Sequence, residues 1–156
     1  MHVSGISFSY ASNSLQTRGL TLLKETLALD DVYSMIDFNI PICDSNKSDG
    51  VVPQSVDQFD SVLATADILV FAISEATAHY SAGFKNAMDW LVVKSKFNSR
   101  LGTDYTISNK PIFVVTFTPT VKNEHNNGAR HFDMTRHLLE KLGSNLVGMH
   151  VVNDAW

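Results

Sequence analysis

The stretch ADILVFAISEATAHYSAGFKNAMDWL, Ala66–Leu91, decides the fold. It opens with DILVFAIS, an uninterrupted apolar run of the kind that suits a central parallel strand with both faces buried. It closes with GFKNAMDWLVVKS, which reads as a helix. Between them lies SEATAHYSAG, a connection of small and hydroxyl residues with one acid, Glu75. Small side chains there let the main chain approach a ligand closely.

The same alternation runs in both directions from this stretch. HVSGISF, His2–Phe8, reads as a first strand. SLQTRGLTLLKETLAL follows as a helix, with Ser14 as its N-cap and Leu20, Leu23 and Leu27 at helical spacing. VYSMIDF, Val32–Phe38, reads as a second strand. NIPICDSNKSDGVVP is a loop by its Pro, Asp, Asn, Ser and Gly content. QSVDQFDSVLATAD is a helix with Val56, Phe59 and Leu63 on one face. KPIFVVTFT is a fourth strand. GARHFDMTRHLLEKLG is a helix stopped by Gly143, and NLVGMHVV is a fifth strand.

Strand–helix alternation throughout predicts an α/β, three-layer sandwich with a five-stranded parallel sheet. At this length the strand order 2-1-3-4-5 is expected. Ligands then bind beyond the carboxyl ends of the strands, at the switch point between strands 1 and 3. The loops that matter are SFSYASNS, SEATAHYSAG and TFTPTVKNEHNNG.

The 156 residues suit one domain spanning 1–156. A net charge of −4, from 12 basic and 16 acidic residues, argues against nucleic-acid and anionic-membrane partners. Cys43 is the single cysteine, so no intrachain disulfide forms and a reducing compartment is expected. MHVSGISF lacks the regions of a signal peptide, and no apolar run has the length of a membrane span. The expectation is a cytoplasmic protein. The chain stops just after the fifth strand, so apolar surface left there predicts a partner subunit.

The first loop carries hydroxyls at Ser7, Ser9, Ser12, Ser14 and Thr17 and runs into a helix N-terminus. Free N–H groups and the helix dipole favour an anion such as a terminal phosphate. The plainer reading is a turn and a cap. Neither G-x-x-x-x-G-K-[ST] nor G-x-G-x-x-G occurs, which argues against a P-loop or a Rossmann dinucleotide site.

ISFSYASNSLQ resembles the I-S-G-S-x-R-x-x-S-x-N loop of the NADPH-dependent FMN reductase family, which is flavodoxin-like. SEATAHYSAGFKNAMDWL resembles that family's P-E-Y-N-x-S-x-P-G-x-L-K-N-A-[LI]-D-W segment. IDFNIPICD resembles its L-P-x-[YF]-D tail, and KPIFVVTFT falls in order. The resemblance covers nearly the whole chain, and GFKNAMDWL is its most specific part. It implies noncovalent FMN reduced by NADPH or NADH, and a small-molecule electron acceptor. It places Ser7, Ser9, Ser14, Leu15 and Gln16 at the FMN phosphate. Ser74, Glu75, Ala76, Thr77 and His79 fall on the loop beside the isoalloxazine ring, and Thr118 and Gly128 on the loop at its pyrimidine edge. It also implies a homodimer or homotetramer, with the GFKNAMDWL helix at the interface.

The chain departs from the family pattern in five places. Phe8 replaces the glycine between two serines. Ala11 stands near the usual arginine. Ser74, Ala76 and Thr77 replace Pro, Tyr and Asn. Ala82 occupies a glycine position, with Gly83 one place later. Only Gly128 remains of a double-glycine loop, and Pro119 has no N–H to offer there.

Glu75 reads as a hydrogen-bonding loop residue rather than a general base, and no catalytic side chain is expected, because the cofactor carries the chemistry. His125, His131 and His137 lack the spacing of a helical metal pair, so no metal is expected. Arg130, Arg136, Lys122 and Lys141 read as solvated surface. The alternatives are a flavodoxin-like binding or regulatory module with weak or no flavin binding, and an electron-carrier flavodoxin, whose [ST]-x-[ST]-G-x-[ST] loop is absent.

Overall fold

A computed structural model describes residues 1–44, 51–97, 104–122 and 127–155. Its elements in chain order are β1 (Val3–Ser7), α1 (Leu15–Leu23), β2 (Asp31–Ser34), α2 (Met35–Phe38), α3 (Gln54–Thr65), β3 (Ile68–Ala72), β4 (Glu75–Ala76), β5 (His79–Tyr80), α4 (Ala82–Phe97), β6 (Pro111–Phe117), α5 (Phe132–Lys141) and β7 (Asn145–Val152). The main sheet is parallel, with order β2-β1-β3-β6-β7. With the β4–β5 hairpin set aside, this is the expected 2-1-3-4-5 order and the flavodoxin-like fold.

Successive residues of β3, with Ile73 just past its end, feed two different cores, as the two-residue strand period demands. Leu69, Phe71 and Ile73 join the larger one with α3, α4 and α5. Val70 and Ala72 join the smaller one with Leu20, Val115 and Phe117, under α1. Phe8 stands at the centre of the larger core, edge-on to Phe71 at 4.9 Å and to Phe84 at 5.0 Å. A large ring where the family pattern has glycine is therefore turned into the core rather than into the first loop.

Three sequence expectations need correction. The run Val32–Phe38 is not one strand: β2 ends at Ser34 and α2 begins. Ser34 and Asp37 form a capping box there, so a local helix start overrides the β-formers. The first helix stops at Leu23, and Leu27 lies beyond it in a turn that carries Ala28 at φ 51°. The third connection is not a plain loop but the antiparallel hairpin β4–β5.

The sheet edges differ. β2 is four residues long, while β7 has eight and a bulge. Ile112 faces Leu146 and Phe113 faces Gly148, which leaves Val147 unpaired. Phe113 lies so close over Gly148 that a Cβ there would sit 2.9 Å from its ring.

Candidate functional site

α1 begins at the carboxyl end of β1 because Ser14 caps it, its hydroxyl accepting from the Thr17 N–H at 3.1 Å. Thr17 in turn donates its own hydroxyl to Ser7 at 2.8 Å. Ser7, Ser14 and Thr17 thus form one hydroxyl cluster against the strand end. The N–H groups of Leu15 and Gln16 have no partner among the described residues, as expected in a first helical turn. Ser9 turns the loop by accepting from the Ala11 N–H at 3.2 Å. Arg18 shares a depression of about 290 Å³ with Ser12 and Thr17. Free amides, short hydroxyls and one cation are a donor set that fits a phosphate.

Gln16 offers its main chain but not its side chain. The amide is buried and grips the main chain of Phe117, donating to its carbonyl at 2.7 Å and accepting from its N–H at 3.1 Å. That pair ties α1 to the end of β6.

The post-β3 hairpin reverses at Thr77 and Ala78, which have φ of 51° and 61°. Two-residue hairpin turns of this sense normally carry Asn or Gly there. Glu75 opens the hairpin, and its carboxylate is gripped by Arg130 just before α5. Oε2 accepts from the Arg130 N–H at 2.9 Å, and Oε1 from Nε at 2.7 Å and from the guanidinium end at 2.5 Å. Ser74, Ala76 and Thr77 stay close to solvent, Ala76 and Thr77 fully so. His79 faces the other way. It lines a cleft of about 650 Å³ between α4 and α5, with Tyr80, Lys85, Asp133 and His137.

In the fourth loop, Thr118 and Gly128 come together. Gly128 has φ +74°, and a Cβ on it would lie 2.7 Å from the Thr118 side chain. The Thr118 main chain is fully engaged, its N–H with Val152 and its carbonyl with Ala155. Its hydroxyl turns the loop by accepting from the Thr120 N–H. Behind this loop His131 is fully buried. The Thr116 hydroxyl donates to the Ile73 carbonyl at 2.8 Å, so it accepts from His131 Nε2 at 2.9 Å. Nδ1 then accepts from Thr135 at 2.9 Å. Burial holds the imidazole neutral, lowering its pKa to about 4; the Glu75 charge opposes that shift and His79 adds to it. His125 lies outside the described residues, and no cluster able to hold a metal ion occurs among the described ones.

The KNAMDW stretch has a structural reading of its own. Asn86 accepts from the Cys43 N–H at 2.7 Å and donates to the Pro41 carbonyl at 3.0 Å, which also accepts from Trp90 Nε1 at 2.8 Å. Tyr10 donates to the Ile40 carbonyl at 3.1 Å. The post-β2 segment is thereby pinned beside the site as one wall of a cleft of about 520 Å³. Gly83 at the start of α4 is required by close approach, since a Cβ would meet the Phe8 carbonyl at 2.9 Å.

These groups stand at the carboxyl end of the parallel sheet, where the switch point between β1 and β3 puts ligands. A family model for NADPH-dependent FMN reductase matches residues 1–156.

The chain belongs to that family.

It is accordingly a flavin-dependent oxidoreductase of the NADPH-dependent FMN reductase type. The fold is also that of solved flavoenzymes. The NAD(P)H:(acceptor) oxidoreductase FerB of Paracoccus denitrificans is 18% identical, with a TM-score of 0.69 over 97% of this chain and 74% of that one. An azoreductase of Bacillus anthracis is 12% identical, with a TM-score of 0.64 over 99% and 88%. The apo form of an NADH:FMN oxidoreductase is 15% identical, with a TM-score of 0.61 over 97% and 74%. No curated protein matches the sequence.

Sequence reasoning missed several of these partners. Arg130 read as solvated surface, yet it holds Glu75. Arg18 went unremarked, although a first-turn arginine in a helix with a hydroxyl-rich start is a readable signal. The resemblance marked Gln16 for the phosphate, but its side-chain grip on Phe117, 101 residues away, gave no signal, and His131 gave none because nothing local marks its ring as buried.

Proposed function

We propose that this FMN reductase family member takes two electrons from NADPH or NADH and delivers them to a small flat acceptor: free flavin, a quinone, or an azo or nitro compound. The observation that carries the reading is the donor set at the start of α1. Leu15 and Gln16 offer amides, Ser9 and Ser12 offer hydroxyls, and Arg18 supplies charge beside them. These groups would hold the FMN phosphate. The Glu75–Tyr80 hairpin and the Thr118–Gly128 loop would border the ring, with Ser74, Ala76 and Thr77 leaving main chain open to it. The chemistry FMN supplies when bound is two-electron transfer between nicotinamide and acceptor. The chain's own work is to bind, orient and shield.

We place the active protein in the cytoplasm as a homodimer or homotetramer formed through α4. The resemblance of the GFKNAMDWL segment to the family's supports the assembly, and light scattering at micromolar concentration tests it.

The test of function is FMN titration by fluorescence quenching, followed by NADPH and NADH oxidation with menadione or free flavin. Stoichiometric binding and acceptor-dependent oxidation are expected. No binding at about 100 µM FMN, a level near 5 kcal/mol, defeats the reading. One observation favours the second reading, a module with weak or no flavin binding: the Gln16 side-chain amide and the Thr118 main chain are already occupied within the protein.

A further inference from the structure

Two rungs join the third loop to the fourth. In the outer rung, the Glu75 carboxylate takes three donors, all from Arg130. In the inner rung, Ile73, Thr116 and His131 are linked through the Thr116 hydroxyl. The two rungs tie residues 73 and 75 to residues 130 and 131, and the loops they join flank the expected flavin cleft.

The outer rung is poorly explained by stability. Arg130 is 51% exposed, and an exposed ion pair typically contributes ~1 kcal/mol or less. Yet the Glu75 side chain is only 10% exposed and doubly gripped, with a main-chain amide fixing its second oxygen. Three contacts on one carboxylate fix an orientation. They also anchor the first residue of a hairpin whose turn has two non-glycine residues at positive φ, a conformation that persists only where its surroundings over-determine it.

We propose that Glu75 and Arg130 are a positioning pair that sets the spacing and the net charge of the flavin cleft, and through these the redox potential of bound FMN. This rests on the FMN reading above. The pair is electrically neutral, so it holds the two loops without biasing the cleft. Removing either partner alone leaves a unit charge, on the covered Glu75 side chain or on the half-exposed Arg130 at the rim. Flavin gains negative charge on reduction. An unpaired Arg130 therefore favours the reduced form and an unpaired Glu75 disfavours it. The nearest other ionisable group is the buried His131, which feels the Glu75 charge on one side and His79, across the hairpin, on the other.

The experiment compares the parent protein with Glu75→Gln, Arg130→Gln and Arg130→Lys. The readouts are oxidised-FMN affinity, the two-electron midpoint potential against a reference dye, and a circular dichroism melt as a folding control. Glu75→Gln is expected to raise the potential by about 30 mV, a tenfold change in the ratio of oxidised to reduced affinity. Arg130→Gln is expected to lower it by a similar amount, and Arg130→Lys to stay nearer the parent. Shifts of the same sign in both Gln variants, or below twofold, overturn the proposal while leaving FMN binding by the parent intact. Failure of the parent to bind FMN overturns both the proposal and the reading beneath it. If Glu75→Gln does not fold, Arg130→Gln decides: a downward shift supports the pair and no shift overturns it.

Discussion

His131 has no exposed surface and two threonine hydroxyls for neighbours, so it has nowhere to put a charge. Its folded pKa of about 4 lies below the ordinary 6.5. Between those values the unfolded chain binds the extra proton and the folded one does not, so folding weakens as pH drops. The neutral ring's contribution is whole above pH 6.5 and is lost by about pH 4, on the order of 3 kcal/mol. Denaturant unfolding at pH 4.5 and 7 should show this slope, and His131→Gln should flatten it. Gln16 gives a second test at this scale. Gln16→Met keeps the length but strands the buried Phe117 N–H and carbonyl, at a cost of about 2–3 kcal/mol in urea unfolding. Neither residue's structural role is legible in the sequence. Ser14 is legible, because a cap and its helix are adjacent, whereas Gln16 meets a strand 101 residues away.

Elements were legible where periodicity is strong. DILVFAIS, KPIFVVTFT and NLVGMHVV became β3, β6 and β7 with small changes at the ends. VYSMIDF failed because a capping box acts over three residues, a shorter range than the β pattern it interrupts. The β4–β5 hairpin was hidden for a different reason: its turn lacks the Asn-Gly signature that marks such reversals. Supplying that signature is a test. Thr77→Asn with Ala78→Gly should relieve positive-φ strain and stabilise the protein by about 1 kcal/mol, a rise of about 2–4 °C in Tm. A fall in Tm would mean that the Thr77 hydroxyl, which donates to the Ala76 carbonyl, matters more than the strain. The KNAMDW stretch was recognised by resemblance, but its work became visible only in three dimensions. Asn86→Ala should free the Pro41–Cys43 segment at a cost of about 1–2 kcal/mol and speed its hydrogen exchange, leaving β1 and β3 protected.

For the molecule as a whole, right-handed crossovers pointed to a doubly wound sheet and the strand count and length to its order, so the topology was legible, while the site was legible only as a set of loops. The loops come from the topology. Which side chains meet within them depends on contacts such as Glu75 with Arg130, separated by 55 residues. Binding that engages only the folded chain should stabilise it by mass action. FMN at about a hundred times its Kd is expected to add ~2.7 kcal/mol and raise Tm by about 5–10 °C, with no response to riboflavin if the phosphate is the anchor. Equal shifts with both ligands would remove the α1 terminus from the site.

The two margins of the sheet carry a consequence for handling the protein. An unpaired strand is a template on which another chain can grow, and long flat ones seed fibrils. β2 offers little purchase, being short and acidic at Asp31. β7 is long, and its outer rail is interrupted only where Val147 bulges out of the ladder. Deleting Val147 would leave a regular seven-residue strand in unbroken register with β6, so turbidity on cooling from a melt should rise sharply in that variant. A single out-of-step valine would then be what keeps concentrated stocks clear.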